Sequence, residues 1–95
     1  MSIRFTWDRE KARLNINKHQ GVSFEEAITI FRDPLAAVFD DDAHSQDERR
    51  ELIIGHSSRN RLLIVSFAER DNLIRIISAR KADAEERAKY EHTKR

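Results

Sequence analysis

The sequence predicts an α+β domain in which one antiparallel sheet is segregated from its helices. Four apolar, β-branched segments cover residues 35–39, 50–56, 61–69 and 73–81, and only short turns separate the last three, which is typical of an antiparallel meander. Helix-capping patterns precede and follow these segments. With 95 residues, the chain is long enough for one core. We therefore expect a single domain over residues 1–95 with the order β-α-α-β-β-β-β-α.

The N-terminal region predicts a short strand and a helical hairpin. Residues 3–7 alternate apolar and polar side chains, and Asp8 is a good N-cap for a helix that Gly21 ends. The apolar positions of this helix are Ala12, Leu14 and Ile16. Ser23 and Glu26 have the spacing of a capping box for a second helix, which the Asp33–Pro34 pair ends.

The C-terminal region repeats the capping pattern. Asp83 and Glu86 are spaced like the members of a capping box, and the helix that they begin is predicted to run to about the C-terminus. Its apolar residues are few, so this helix can cover one face of the sheet only partly. We expect some apolar surface to remain exposed, which is typical of a partner site.

The segment 73–81 is predicted to be the central strand of the domain. Strict alternation places one arginine on each face. One face is then formed by Ile74, Ile76, Ser78 and Arg80, and the other by Leu73, Arg75, Ile77 and Ala79. Because arginine is seldom buried without a partner, the strand is predicted to bring cations to the edge of an anion-binding cleft.

The charge is divided along the chain. The net charge is only +1, but residues 21–48 carry −7, so the remaining residues carry +8. A chain divided in this way can present a positive surface to a phosphate backbone while staying near neutral overall. Alternatively, the two parts neutralise each other across the fold.

The composition argues against several classes of site. The absence of cysteine excludes disulfides and thiolate ligands, and the two glycines leave little material for a phosphate-binding loop. The histidines are far apart and form no HExxH motif, and Asp40–Asp42 is better explained as a solvated acidic loop than as a Mg²⁺ site. We therefore predict no cofactor and no metal.

No signal-peptide pattern or run of roughly 18 apolar residues is present, so a cytoplasmic protein without membrane contact is expected.

The class of site that remains is one in which cationic side chains act on a phosphate. Metal-free RNA cleavage is chemistry of this kind, and it needs a base for the 2′-OH, cations at phosphorus and an acid for the leaving oxygen. The candidate cations are Arg75, Arg80, Lys81 and Arg87; the candidates for proton transfer are His44, His19 and Tyr90; Trp7 and Tyr90 could stack on bases. All of these except Lys81 and Arg87 have a structural alternative. The strand arginines could form ion pairs, His19 could favour a helix end, His44 could pair locally in its acidic loop, and the two aromatic residues could belong to the core.

Spaced motifs along nearly the whole chain resemble the BrnT-type toxins of bacterial type II toxin–antitoxin pairs. The matching segments are Phe5-Thr6-Trp7-Asp8 with Lys11 and Asn15, Lys18-His19 and Gly21 to Ala27, Phe31 with Asp33-Pro34, Asp42 with His44, Glu48-Arg49, Gly55, and Arg75 to Ala82 with Glu86 and Tyr90. One departure is Gln20, which stands between His19 and Gly21 and lengthens the turn between the helices.

This resemblance implies a RelE-like fold and an endoribonuclease that inhibits translation by cutting RNA. It also implies a BrnA-like ribbon-helix-helix antitoxin as partner, a hetero-oligomer with it, and contact with operator DNA through it. Arginine and histidine chemistry on the matching positions predicts the catalytic residues Arg75, Arg80, Tyr90, His44 and His19. The predicted RNA-binding residues are Trp7, Lys11, Lys18 and Lys81 on matching positions, together with Arg87 as a further cation on the last helix. The alternative function is a non-catalytic module that binds a protein partner and nucleic acid as a co-repressor.

Overall fold

The computed structural model describes residues 3–93 and has the predicted α+β class. The strands and helices follow the predicted order, and short 3₁₀ turns lie at Ile30–Arg32 and Asp42–His44. The bounds are β1 Arg4–Thr6, α1 Arg9–Lys18, α2 Phe24–Thr29, β2 Ala37–Asp40, β3 Glu51–His56, β4 Leu62–Arg70, β5 Leu73–Lys81 and α3 Ala84–Thr93.

One five-stranded sheet has the order β1-β5-β4-β3-β2. Strands β2 to β5 form the predicted antiparallel meander, whereas β1 joins β5 in parallel. The pair is parallel because β2, the strand that follows the two helices, runs opposite to β1, and the three antiparallel pairs that follow bring β5 back into the direction of β1. The centre of the sheet is β4 rather than β5, and residues 62–68 of β4 are all buried.

A β-bulge corrects the predicted faces of β5. Ser78 pairs with Ser66 of β4 but Ile76 pairs with Phe67, so Ile77 is an extra residue without a cross-strand partner. An extra residue reverses the alternation beyond it. Arg75 and Arg80 therefore lie on the same face of the sheet, where strict alternation had placed them on opposite faces.

The other face of β5 packs under the helical hairpin. Ile74, Ile76 and Ala79 join a buried cluster with residues of α2, β3 and β4, and Trp7 packs against it edge-to-face on Phe24 at 6.0 Å. The remaining members are Val22, Ala27, Ile30, Ile53, Leu63, Val65 and Phe67. We call this the hairpin face, and the opposite one the second face.

Of the three apolar positions that the sequence suggests for helix α1, only Ala12 packs against the core. Leu14 and Ile16 are 49% and 42% exposed, whereas Asn15 is buried. The Asn15 side chain donates to the carbonyls of Val22 at 2.9 Å and Ala79 at 2.8 Å, and accepts from the Ala79 N–H at 3.2 Å. These bonds tie α1 to β5 and explain how a helix with few apolar residues is held on the sheet.

We predict that Asn15→Ala destabilises the domain by about 2–4 kcal/mol, because it leaves buried backbone groups of Val22 and Ala79 unsatisfied. The measurement is the free energy of unfolding in urea. Asn17→Ala is the matched control, since Asn17 is exposed on the same helix. Equal stabilities of the two variants would contradict this role of Asn15.

The second face is covered only in part. Tyr90 of α3 packs on Ile54, Leu62 and Ile64, with Phe39, Leu52 and Ala82 at the margin. Helix α3 begins with a reciprocal capping box, as predicted: the Glu86 N–H donates to Asp83 Oδ1 at 2.8 Å, and the Asp83 N–H donates to Glu86 Oε1 at 2.9 Å. The rest of the second face is open to the site described below.

The capping box predicted for α2 is only half formed. Ser23 Oγ accepts the Glu26 N–H at 3.0 Å, but the Glu26 carboxylate instead accepts hydrogen bonds from Ser57 and Arg61. Further pairs join Glu48 to Arg75 and Asp40 to Arg49. Acidic residues of the segment 21–48 thus neutralise arginines from outside it. This favours the interpretation that the negative and positive parts of the chain neutralise each other across the fold.

Candidate active site

A cavity of about 320 Å³ opens on the second face between the sheet and the loop that joins β2 to β3. The loop contributes His44, Arg50 begins the return into β3, and β5 contributes Arg80. The remaining lining residues are Asp41, Leu52, Ile64, Ser66, Ile77 and Ser78. We call this cavity the Arg80 cleft. It brings together two of the predicted catalytic residues, His44 and Arg80, from positions that are distant in the sequence.

The imidazole of His44 is held by the carboxylate of Asp41. Nδ1 lies 3.1 Å from both carboxylate oxygens, while 68% of the His44 side chain is exposed. An ionised carboxylate only accepts hydrogen bonds, so Nδ1 must carry the hydrogen. In the neutral ring Nε2 is then the nitrogen that can accept a proton, which suits a general base. The contact with the carboxylate of Asp41, made by the neutral ring as a hydrogen bond, is therefore compatible with the predicted catalytic role.

Hydrogen bonds join the two ends of the loop that carries His44. The Asp41 N–H donates to the Arg50 carbonyl at 2.9 Å. Ser45 Oγ donates to the Asp41 carbonyl at 2.6 Å and accepts the Arg50 N–H at 2.9 Å. One serine thus joins the two ends of the loop and fixes His44 and Arg50 relative to each other.

Arg80 is oriented by Glu86 of α3. Nη1 and Nη2 donate to the two carboxylate oxygens at 2.8 and 2.6 Å, and Nη1 also reaches the Lys81 carbonyl at 3.3 Å. The hydrogen bonds with Arg80 lower the pKa of Glu86. Within residues 3–93, Nε and the second N–H of Nη2 make no hydrogen bond. These two groups form the parallel donor edge that matches a phosphate.

Arg50 was missed by the sequence analysis, which assigned it only to the start of a strand. Its Nε is buried and makes no hydrogen bond, and the described residues provide no carboxylate partner for it. A buried polar atom without a partner is uncommon and calls for an explanation. The only sequence signal for Arg50 was a basic residue directly after an acidic loop, which many surface residues share.

The other predicted residues lie outside the cleft. His19 occupies the C-cap position of α1, as its structural alternative proposed, and lies with Lys18 and Lys81 around a second cavity. Arg75 is paired with Glu48 and borders a different cavity of about 450 Å³, in which Asp47 and Glu69 also lie. Lys11 and Arg87 are exposed on α1 and α3, and Trp7 packs against the core.

Tyr90 is buried in a hydrogen-bonded cluster with Asp33 and His56. Its hydroxyl donates to Asp33 Oδ2 at 2.9 Å and lies 3.1 Å from His56 Nδ1. Burial and the bond to Asp33 raise the pKa of Tyr90 to about 12. Gly55 makes room for this cluster, because a Cβ there would lie 3.3 Å from Asp33 Oδ2. These contacts favour a structural role for Tyr90, the alternative that the sequence analysis left open.

We predict that Tyr90→Phe destabilises the domain by about 1–2 kcal/mol at neutral pH, since Asp33 loses one of its donors. Because folding raises the pKa of Tyr90, its contribution is full below the unfolded value of about 10 and is lost as the pH rises towards about 12. Urea unfolding at several pH values measures both effects. A difference between wild type and variant that does not narrow above pH of about 10 would contradict this assignment.

Neither a metal cluster nor a membrane span is found in the described part of the chain. No group of three or more His, Asp or Glu side chains in residues 3–93 is placed to hold a metal ion. No helix in that range is long and apolar enough to cross a membrane.

Comparisons with known proteins agree with the fold. The family model described as the ribonuclease toxin BrnT of type II toxin–antitoxin systems matches residues 7–86. The chain is also similar to the ribonuclease toxin BrnT of Brucella abortus, whose crystal structure was determined at 1.1 Å. The two are 26% identical with a TM-score of 0.67, over 86% of this chain and 99% of the Brucella chain. No curated protein sequence matches. Because the family model covers most of its length, the chain belongs to the BrnT family of ribonuclease toxins of type II toxin–antitoxin systems.

Proposed function

We propose that this toxin is a metal-independent endoribonuclease whose scissile phosphate binds in the Arg80 cleft. The single observation that carries the proposal is the convergence of His44, Arg50 and Arg80 on one cavity. A proton acceptor and two cations are two of the three kinds of group that this chemistry needs at one phosphate, and water can supply the third, the acid for the leaving oxygen. The bulge at Ile77 supports it, since Arg80 would otherwise lie under the hairpin.

In this mechanism Nε2 of His44 removes the proton of the 2′-OH, and the 2′ oxygen forms a bond to phosphorus. The P–O5′ bond breaks, and the 5′ oxygen takes a proton from water in the open cleft. The free Nε–Nη2 edge of Arg80 donates to two phosphoryl oxygens, and Arg50 lies on the same cavity as a second cation. Asp41 and Glu86 act as positioning residues, because each orients a group that touches the substrate.

The test is cleavage of a single-stranded RNA by the purified full chain in EDTA and in Mg²⁺. We expect equal rates, with products that carry a 2′,3′-cyclic phosphate and a 5′-hydroxyl, because the attacking oxygen is the 2′-OH. An RNA with a 2′-deoxy residue at the cleaved position is the control and should remain intact. Binding without cleavage in both buffers would contradict the proposal and favour the co-repressor function.

The identity of the partner is proposed from the family: a BrnA-like ribbon-helix-helix antitoxin that forms a hetero-oligomer with the toxin in the cytoplasm and contacts operator DNA. Exposed apolar side chains such as Val38 on the edge strand β2, 52% exposed, support a protein partner. The adjacent reading frame should encode this protein, and the two chains should purify together when they are expressed together.

A further inference from the structure

Arg80 also borders a second cavity of about 200 Å³, and the groups around that cavity are mostly basic. The other lining residues are Lys18, His19 and Gln20 from the end of α1 and Lys81 from the end of β5. None of the lining residues carries a carboxylate. We call this cavity the basic cavity. Its composition differs from that of the cavity beside Arg75, in which Asp47, Glu48 and Glu69 accompany the arginines.

Buried hydrogen bonds hold the two sides of the basic cavity together. Asn15 joins α1 to Ala79, the residue before Arg80, through the two bonds described above. The chain then reverses through Gln20 and Gly21, whose φ angles of 55° and 77° are left-handed. The Gly21 N–H donates to the Ile16 carbonyl at 2.9 Å, which closes the helix end. Hydrogen bonds therefore hold the backbone that carries these basic side chains on both sides of the cavity.

His19 lies among positively charged side chains in the basic cavity. Burial lowers the pKa of His19, and the charges of Lys18 and Arg80 lower it further. Glu86 pairs with Arg80 from the side of α3, but within the described residues no carboxylate pairs with Lys18 or Lys81. An anion in the basic cavity would meet cations that the protein has not already neutralised.

We propose that the basic cavity is a subsite for the phosphate next to the scissile one in single-stranded RNA. This inference rests on the proposed function, because the Arg80 cleft must hold the scissile phosphate. Arg80 borders both cavities, so the basic cavity, which Lys18 and Lys81 also line, adjoins the cleft at Arg80. Lysines bind phosphate as point charges without reading a base. The subsite therefore contributes affinity for any sequence that has two successive phosphates.

The test uses two uncleavable 2′-deoxy probes, a dinucleotide with one phosphate and a trinucleotide with two. We expect the full chain to bind the trinucleotide about tenfold more tightly, with a steeper dependence on salt by about 0.7 in the logarithmic slope, as for one additional phosphate contact. In the NMR spectrum the ring resonances of His19 should move with the trinucleotide and stay with the dinucleotide. Lys18→Gln with Lys81→Gln should remove the advantage of the trinucleotide.

The matched control is Arg4→Gln with Arg9→Gln, which removes the same charge from exposed positions that line neither cavity. An advantage that survives the lysine substitutions, or one that the control loses equally, would overturn the subsite. So would a His19 resonance that does not move at saturation. If His19 responds but the full chain cuts no RNA, the basic cavity binds a phosphate, but the proposed chemistry fails and with it the assignment of this phosphate as the neighbour of a scissile one. If RNA is cut and the His19 resonances do not move, the proposed chemistry stands and the subsite fails.

Discussion

Arg80→Lys is expected to lower the kcat of RNA cleavage by roughly 10²–10³-fold, the range found when one preorganised donor to a transition-state oxyanion is removed. Lysine keeps the positive charge, but its ammonium group has no planar fork of donors. It therefore cannot donate two parallel hydrogen bonds to a phosphate and bind a carboxylate in a bidentate pair at the same time. Arg80 does both in this fold, because Glu86 takes one edge and leaves the other free. The measurement is kcat and KM on a fixed RNA, with the melting temperature as a check of the fold.

Arg61→Lys is the matched control for this experiment. Arg61 also forms a bidentate ion pair with a glutamate, Glu26, but it does not line the Arg80 cleft. We expect Arg61→Lys to lose stability and keep kcat. Comparable losses of kcat in both variants would mean that Arg80 acts only through the fold, and the cleft would then have no support as the site of cleavage.

His44→Gln is expected to lower kcat by roughly 10²–10⁴-fold, the usual contribution of a positioned general base. Glutamine keeps a polar group beside Asp41 but cannot take the proton of the 2′-OH. The measurement is kcat on the same RNA, with the melting temperature as a check that the fold is intact.

Two further variants distinguish a base from a merely structural histidine. Asp41→Asn should give an intermediate loss, because an amide can donate to Nδ1 and so favour the wrong tautomer. His92→Gln should leave the rate unchanged, since His92 is exposed on α3 and lines neither cavity. A kcat of His44→Gln equal to that of the wild type would assign the base to another group.

Short-range patterns predicted the elements of this domain well. The bounds of β5 are those that its composition indicates, and Asp8, Ser23 and Asp83 accept the N–H groups that N-caps should accept. A cap is decided within one turn of helix, so the sequence carries the needed information locally. The antiparallel meander follows for the same reason, because short turns leave neighbouring strands little choice of partner.

The partners of charged side chains could not be predicted in this way. Glu26 has the spacing of a capping residue, yet its carboxylate binds Arg61, which lies 35 residues further along the chain. Arg75 and Arg80 looked alike on one strand, but Glu48 and Glu86 place them in different surroundings. Pairing of this kind depends on which elements pack together, and a linear pattern does not contain that information.

By itself the sequence determined the α+β class, the caps, the meander and the kinship to the BrnT toxins. Only the tertiary structure decided that Arg75 and Arg80 share a face, because the bulge at Ile77 arises from the register between β4 and β5. It also decided that α1 is held by Asn15 and that Arg50 joins His44 beside Arg80. The physical reason is that local preferences act over a few residues, whereas a cleft is formed by packing between segments that are distant in the chain.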